Sequence, residues 1–395
     1  MVAGQVAGSA ALAASVTVGA FVVQDILGQD TPFGGAASAT VTIGTAVMSQ
    51  ILARIMNGGT RRAGLQAGYL LAIVGGIAAG VGAELRSLPA FLFGLLLFGN
   101  GQAANLLSRF AATDLAEPLA RARSMSRILF ASTFGAVLGP VLIAPAQTAG
   151  EAWFGWGRYT GPWVFAGAFF LVSLLNVTFR LRPDPLAVAR QRVGDLDPGH
   201  RQARSDSVAF GDADARIALM AMVISQMTMV TVMTMTPVHL KAHGHESTSP
   251  YVISLHIAGM FAFSPIVGRL ADRGGRHLTI VVGAVLLVFA TVLSAASGDE
   301  AALLFPALLL LGVGWSCGLI GGSSLLVDSV PDVVRVKIQG RADLLMSLLG
   351  GVAGFSSGFI REAIGFHFLS LVGTALAGAL AIGALWRQGT IREWT

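Results

Sequence analysis

The chain has 395 residues, 54% hydrophobic and 12% charged, with a formal net charge of +5 and a mean hydropathy of +0.71. A soluble domain carries about 25% charged residues, so a soluble enzyme, a disordered tail and a disulfide scaffold are excluded and a helical membrane protein remains. Cys317 is the only cysteine, which rules out an internal disulfide.

A membrane-crossing helix needs about 20 apolar residues. Twelve apolar segments follow one another: 3–27, 36–56, 63–83, 88–110, 125–146, 161–180, 215–239, 249–269, 277–297, 301–327, 340–361 and 365–386. Met1 runs straight into the first without a basic flank or cleavage site, so a retained helix is expected and not a signal peptide. Small residues inside the segments, such as Gly75, Gly76, Gly99, Gly101, Gly350, Gly351 and Gly354, let helices approach closely in lipid. Between the sixth and seventh segments the composition changes. The stretch 180–216 holds Pro183, Pro185, Pro198 and seven arginines. The expected organisation is an N-terminal six-helix bundle, 1–180, a cytoplasmic linker, 181–214, and a C-terminal six-helix bundle, 215–395.

Charge sets the expected topology. With the N-terminus in the cytoplasm, 22 of the 26 Lys and Arg residues lie on the cytoplasmic side, and only Arg86, Arg158, Lys241 and Arg361 lie opposite. That asymmetry fits the positive-inside rule. It puts both termini on the cytoplasmic side of what is expected to be a bacterial inner membrane, and accounts for the basic pI without a nucleic-acid partner. Walker loop and catalytic constellation are both missing from the sequence, so neither an enzyme nor a permanently bound cofactor is expected. The chain is expected to act as a monomer in the bilayer.

The second and third segments join at Arg54-Ile-Met-Asn57-Gly58-Gly59-Thr-Arg61-Arg62. At an offset of 215 the eighth and ninth join at Arg269-Leu-Ala-Asp272-Arg273-Gly274-Gly-Arg276-His277. The second copy, starting at Gly268, resembles the G-x-x-x-D-R-x-G-R loop of the major facilitator superfamily. The first copy departs from it, with Asn57 for the acid and Gly58 for the base. The resemblance extends over the twelve segments, the two halves and the central linker. It implies an all-α membrane protein of two pseudo-symmetric six-helix bundles that give alternating access. It assigns Gly268, Asp272, Arg273 and Arg276 to a gating loop; the plainer reading of their charges is solvation and topology.

Polar groups inside the segments bear on cargo, because lipid makes them costly. The seventh segment holds Met220, Met222, Met227, Met229, Met233 and Met235, half of the chain's 12 methionines, and the eighth holds His256 and Met260. Met229 with Met233, and His256 with Met260, are spaced to share a helix face. At 1.5 Å per residue, Met233 and His256 lie about 9 Å from the outer end and Met229 and Met260 about 15 Å. Four soft or borderline ligands in one layer suit Cu(I). The alternatives are methionine packing and a histidine bonded to a neighbouring helix carbonyl.

M-x-x-x-M and H-x-x-x-M on these two helices resemble the CcoA-like copper importers of the same superfamily. The resemblance implies Met229, Met233, His256 and Met260 as copper ligands, copper import in support of cytochrome oxidase assembly, and a cytoplasmic copper acceptor. His239, His243 and His245, with Glu246, form a possible metal entry, or an exposed polar loop. Gln24, Asp25, Gln102 and Asn105 are possible cavity residues. Asp343 is expected in an ion pair at the membrane interface, and Asp114 and Glu117 in local pairs near Arg109. The rival function is an exporter of drugs or small organic molecules, with the methionines as an adaptable apolar wall.

Overall fold

The computed structural model describes residues 1–27, 36–196, 212–245 and 248–392. Linker residues 197–211, with Pro198, Arg201 and Arg204, lie outside the described residues, as does Glu246.

Every long element is a helix. In the first half these are α1 Val2–Leu27, α2 Ala36–Gly58, α3 Arg61–Glu84, α4 Leu88–Ala111, α5 Arg121–Val141, α6 Ile143–Phe154 and α7 Thr160–Arg180. The linker contains α8, Pro185–Leu196. The second half holds α9 Ala213–Ala242, α10 Ser249–Phe261, α11 Ser264–Arg273, α12 Arg276–Ala296, α13 Leu304–Ser329 and α14 Asp332–Arg392. Local chemistry explains several boundaries. Thr60 caps α3 by accepting the Ala63 amide at 3.1 Å, and Asp212 caps α9 through the Asp214 and Ala215 amides. Gly365, at φ 83°, breaks α14, because a left-handed residue cannot continue an α-helix.

Nine described helices are long and apolar enough to cross a membrane, and ten if the bent α5–α6 pair counts as one span. The run Val334–Trp386 has 53 residues, enough for two passes of about 20. One of the expected segments is sharply bent and another is interrupted without leaving its span. The fifth turns by 51° between α5 and α6, and the eighth, one span over Tyr251–Arg273, loosens between α10 and α11. The cause is the same in both. Proline clashes with the carbonyl four residues back; Pro145 sits four beyond Val141, the last residue of α5, and Pro265 four beyond Phe261, the last of α10.

The chain divides into two compact units, 1–115 with 131–201, and 116–130 with 202–395. In the first, α3 packs along α4 and α7, α2 along α4, and α1 along α7. Glycines make the α3–α4 seam possible: a Cβ on Gly75 would stand 2.3 Å from the Phe98 nitrogen. In the second, α12 packs along α13 and α14, α10 along α13, and α9 along α14 and α13. The repeat found in the loops therefore runs through the helices. Arg61 opens α3 and Arg276 opens α12, again 215 residues apart.

Candidate functional site: the loop latch and the polar groups of each unit

A dense set of polar contacts in the second unit lies at the α11–α12 turn. The Asp272 carboxylate is fully buried. Its oxygens accept the backbone amides of Ala122 at 3.1 Å and Arg123 at 2.9 Å, in the first turn of α5. An anion there meets unpaired amides and the positive end of the helix dipole. The Arg276 guanidinium stands 3.3 Å from Asp272 and donates from Nε to Asp328 at 3.0 Å. It also donates to the carbonyls of Ala271 and Pro118. Arg121 pairs with the other oxygen of Asp328. Gly268 leaves room for α5: a Cβ would lie 2.3 Å from the Ser126 hydroxyl. Arg273 differs from its neighbours, for its side chain is exposed. Gly268, Asp272 and Arg276 of the expected gating loop are thus joined by two residues that the sequence reading did not single out, Asp328 and Arg121. For Asp328 the signal was the repeat, since Asp114 lies 214 residues before it, close to the 215 of the loops.

The first unit has a related pairing. Arg61, fully buried, holds Asp114 in a two-pronged contact, Nε to Oδ2 at 2.8 Å and Nη2 to Oδ1 at 3.0 Å. Asp114 was expected to pair near Arg109. Arg109 donates to the Leu106 carbonyl and lies 4.3 Å over the Phe110 ring.

The four residues with the implied ligand role are placed as follows. Met229 is buried, and Met233 and Met260 are partly exposed. His256 is completely buried; Nδ1 donates to the Leu308 carbonyl of α13 at 2.9 Å, and Nε2 has no hydrogen-bond partner. The carbonyl bond weighed as the alternative for this residue is present. Helices α9 and α10 were expected to lie side by side. They meet only marginally, because each packs on α13. Backbone contact brings α10 against α13 closely, with a Cβ on Gly312 falling 2.3 Å from the His256 carbonyl oxygen. Among the described residues there is no group of three His, Cys, Asp or Glu side chains able to hold a metal ion.

At the far end of α9, His239 is buried, stacks on Phe366 at 4.2 Å and contacts the Gly298 carbonyl through Nε2 at 2.9 Å. His243 donates from Nδ1 to the His239 carbonyl, and its Nε2 lies 3.1 Å from Asp299. His245 is partly exposed. His239, His243, Asp299, Arg361, Phe366 and His367 line a cleft of about 510 Å³.

Two of the four expected cavity residues bridge helices. Tyr69 of α3 donates to Asn105 of α4 at 2.8 Å. Thr45 of α2 contacts Gln102 of α4 at 3.5 Å. Gln24 is partly exposed, and Asp25 forms an exposed pair with Arg86 at 3.6 Å, a contact worth little in water. Asp343 is completely buried in α14. One cluster escaped the sequence reading. Trp315 Nε1 of α13 donates to Gln226 Oε1 of α9 at 2.6 Å, and Phe261 of α10 meets the indole edge-on at 5.8 Å. A lone Gln in an apolar segment, set among methionines, is the signal the sequence carries for it.

Residues 6–355 match the sequence profile of the Major Facilitator Superfamily. The uncharacterized MFS-type transporter YdeG of Bacillus subtilis is 37% identical over 391 residues, covering 98% of this chain and 90% of YdeG. The riboflavin transporter RfnT of Brucella anthropi is 28% identical over 314 residues, covering 78% of this chain and 75% of RfnT. Among solved structures, the proton:xylose symporter XylE superposes with a TM-score of 0.79 at 16% identity, covering 98% of this chain and 94% of XylE.

Proposed function

The chain belongs to the Major Facilitator Superfamily, a family of membrane transporters, and we propose that its cargo is a small organic molecule of aromatic character. The observation that carries this reading is the Trp315–Gln226 pair with Phe261 beside it. Pockets for organic ligands are built from aromatic and apolar groups with few polar anchors. Partly exposed Met227, Met233 and Met260 add thioethers that adapt to different shapes. Similarity to RfnT, named for riboflavin, points the same way. The copper reading rested on two short motifs and on α9 and α10 facing each other, and the relatives add no support to it.

The cycle is alternating access. The Asp272–Arg276–Asp328 network serves as a latch on the start of α5, holding one arrangement until cargo shifts the balance. A buried carboxylate satisfied by two amides and a guanidinium is stable while α5 is docked and is left costly when α5 departs.

The test is flux through the purified protein in proteoliposomes. Riboflavin, ethidium and copper are offered separately. Saturable flux of an organic probe is expected, with its KM raised several-fold by Trp315→Ala. Saturable copper flux with neither organic probe moving would sink the reading.

A further inference from the structure

The first copy of the loop lacks the charges that make the second a latch: Asn57 stands for Asp272 and Gly58 for Arg273. In the first unit, charges of both signs come instead from the linker. Asp184 accepts the Arg61 amide at 3.3 Å through Oδ1 and the Arg62 amide at 2.8 Å through Oδ2. Oδ1 also faces the amides of Leu186 and Ala187 at 3.1 and 3.2 Å. One carboxylate thus closes the starts of both α3 and α8. Arg190, one turn further along α8, donates to the carbonyls of Asn57 at 2.9 Å and Gly59 at 3.2 Å, at the end of α2. Each charge sits at the helix end whose dipole it complements, the anion on amides and the cation on carbonyls.

The chain of contacts continues. With its amide held by Asp184, Arg61 directs its guanidinium onto Asp114. Asp114 lies in the short loop that leads to Ala116, where the chain enters the second unit, and then to the α5 amides held by Asp272. We infer that Asp184 and Arg190 are positioning residues of the transport cycle. They strap the α2–α3 turn, and through Arg61 and Asp114 they set where α5 begins and so how often the latch opens. This inference rests on the latch reading of Asp272. The plainer role is a helix cap that stabilises the first unit and leaves the cycle untouched.

The test uses the full-length protein in membranes with Cys317→Ser and Ser126→Cys. Ser126 is buried beside Gly268, so its alkylation by a maleimide reports departure of α5. Added to this parent, Asp184→Asn and Arg190→Ala are each expected to change the alkylation rate at least fivefold. Arg190→Lys, which can still reach one carbonyl, should stay within twofold. Asp272→Asn is the reference for the latch itself. If Asp272→Asn raises the rate and neither linker substitution changes it, the strap proposal is overturned while the latch stands. An unchanged rate in all three overturns both. Because Arg190 is exposed, its substitution tests the idea even if Asp184→Asn fails to fold. Amide exchange at Arg61 and Arg62 gives a second reading: faster exchange with an unchanged alkylation rate is the signature of a mere cap.

Discussion

Arg61 and Arg276 hold equivalent places in the two units. Each is the first residue of a helix, and each turns its guanidinium onto an aspartate after the next helix or at its end, 2.8 Å to Asp114 and 3.0 Å to Asp328. The equivalence stops at the acid before them. Asp272 reaches the α5 amides, whereas Asn57 offers no charge and the linker supplies Asp184. The duplicated loop therefore keeps its internal arginine–aspartate pair in both units and its hold on the α5 amides, the proposed latch, in one.

Neutralising Asp272 should weaken that latch. Asp272→Asn removes the charge from two amide contacts and leaves Arg276 with Asp328 alone. Charge-assisted contacts of this kind are worth about 1.5–3 kcal/mol, which corresponds to a shift of roughly tenfold to a hundredfold between two arrangements. Transport of the organic probe in proteoliposomes should fall by at least tenfold in maximal rate. Arg273→Ala, at an exposed side chain, should stay within twofold of wild type.

The Arg61–Asp114 pair predicts a stability effect. Both side chains are almost wholly buried, so Arg61→Ala strands a carboxylate at a cost of about 3–5 kcal/mol. A thermal midpoint in detergent lower by several degrees is expected. Arg61→Lys should not rescue it, since an ammonium cannot make the two-pronged contact.

Glycines give a contrast within one fold. A Cβ on Gly75 meets the backbone of α4 at 2.3 Å, and neither partner can move without separating α3 from α4. Gly75→Ala should destabilise by about 1–3 kcal/mol. Gly378, inside α14, has nothing within 4 Å of an added Cβ. Gly378→Ala should be neutral or stabilise by up to about 1 kcal/mol. Both are read from thermal unfolding in detergent.

His256 separates the two cargo readings. Its bond to the Leu308 carbonyl joins α10 to α13, and interhelical hydrogen bonds in membranes average about 0.6 kcal/mol. His256→Ala should lower the thermal midpoint slightly and leave cellular copper accumulation unchanged. Loss of copper accumulation with an intact fold would restore the metal reading.

Much of the fold was legible before any coordinates. Apolar runs of membrane length placed the helices, and an offset of 215 between two loops led to the repeat that packs α3 and α12 alike. Proline positions 145 and 265 carried the breaks of the fifth and eighth segments, though the runs read as continuous because hydropathy is blind to a missing amide. The site was harder to read. Gly268, Asp272 and Arg276 stood out through their spacing, but Asp328 lies at the end of α13 and Arg121 at the start of α5, 52 residues after and 155 before Arg276. The methionines shared a helix face with regular spacing, and that spacing was read as a ligand set.

By itself the sequence determined that this chain lives in a membrane as paired sets of helices, because composition and length are properties of each segment alone. Which side chain faces which neighbour was decided only in the tertiary structure. A helical period tells what lies on one face of a helix and nothing of the helix opposite. The sequence puts His256 in an apolar segment, and only the fold shows that the carbonyl its Nδ1 meets, Leu308, belongs to α13, which packs against both α9 and α10.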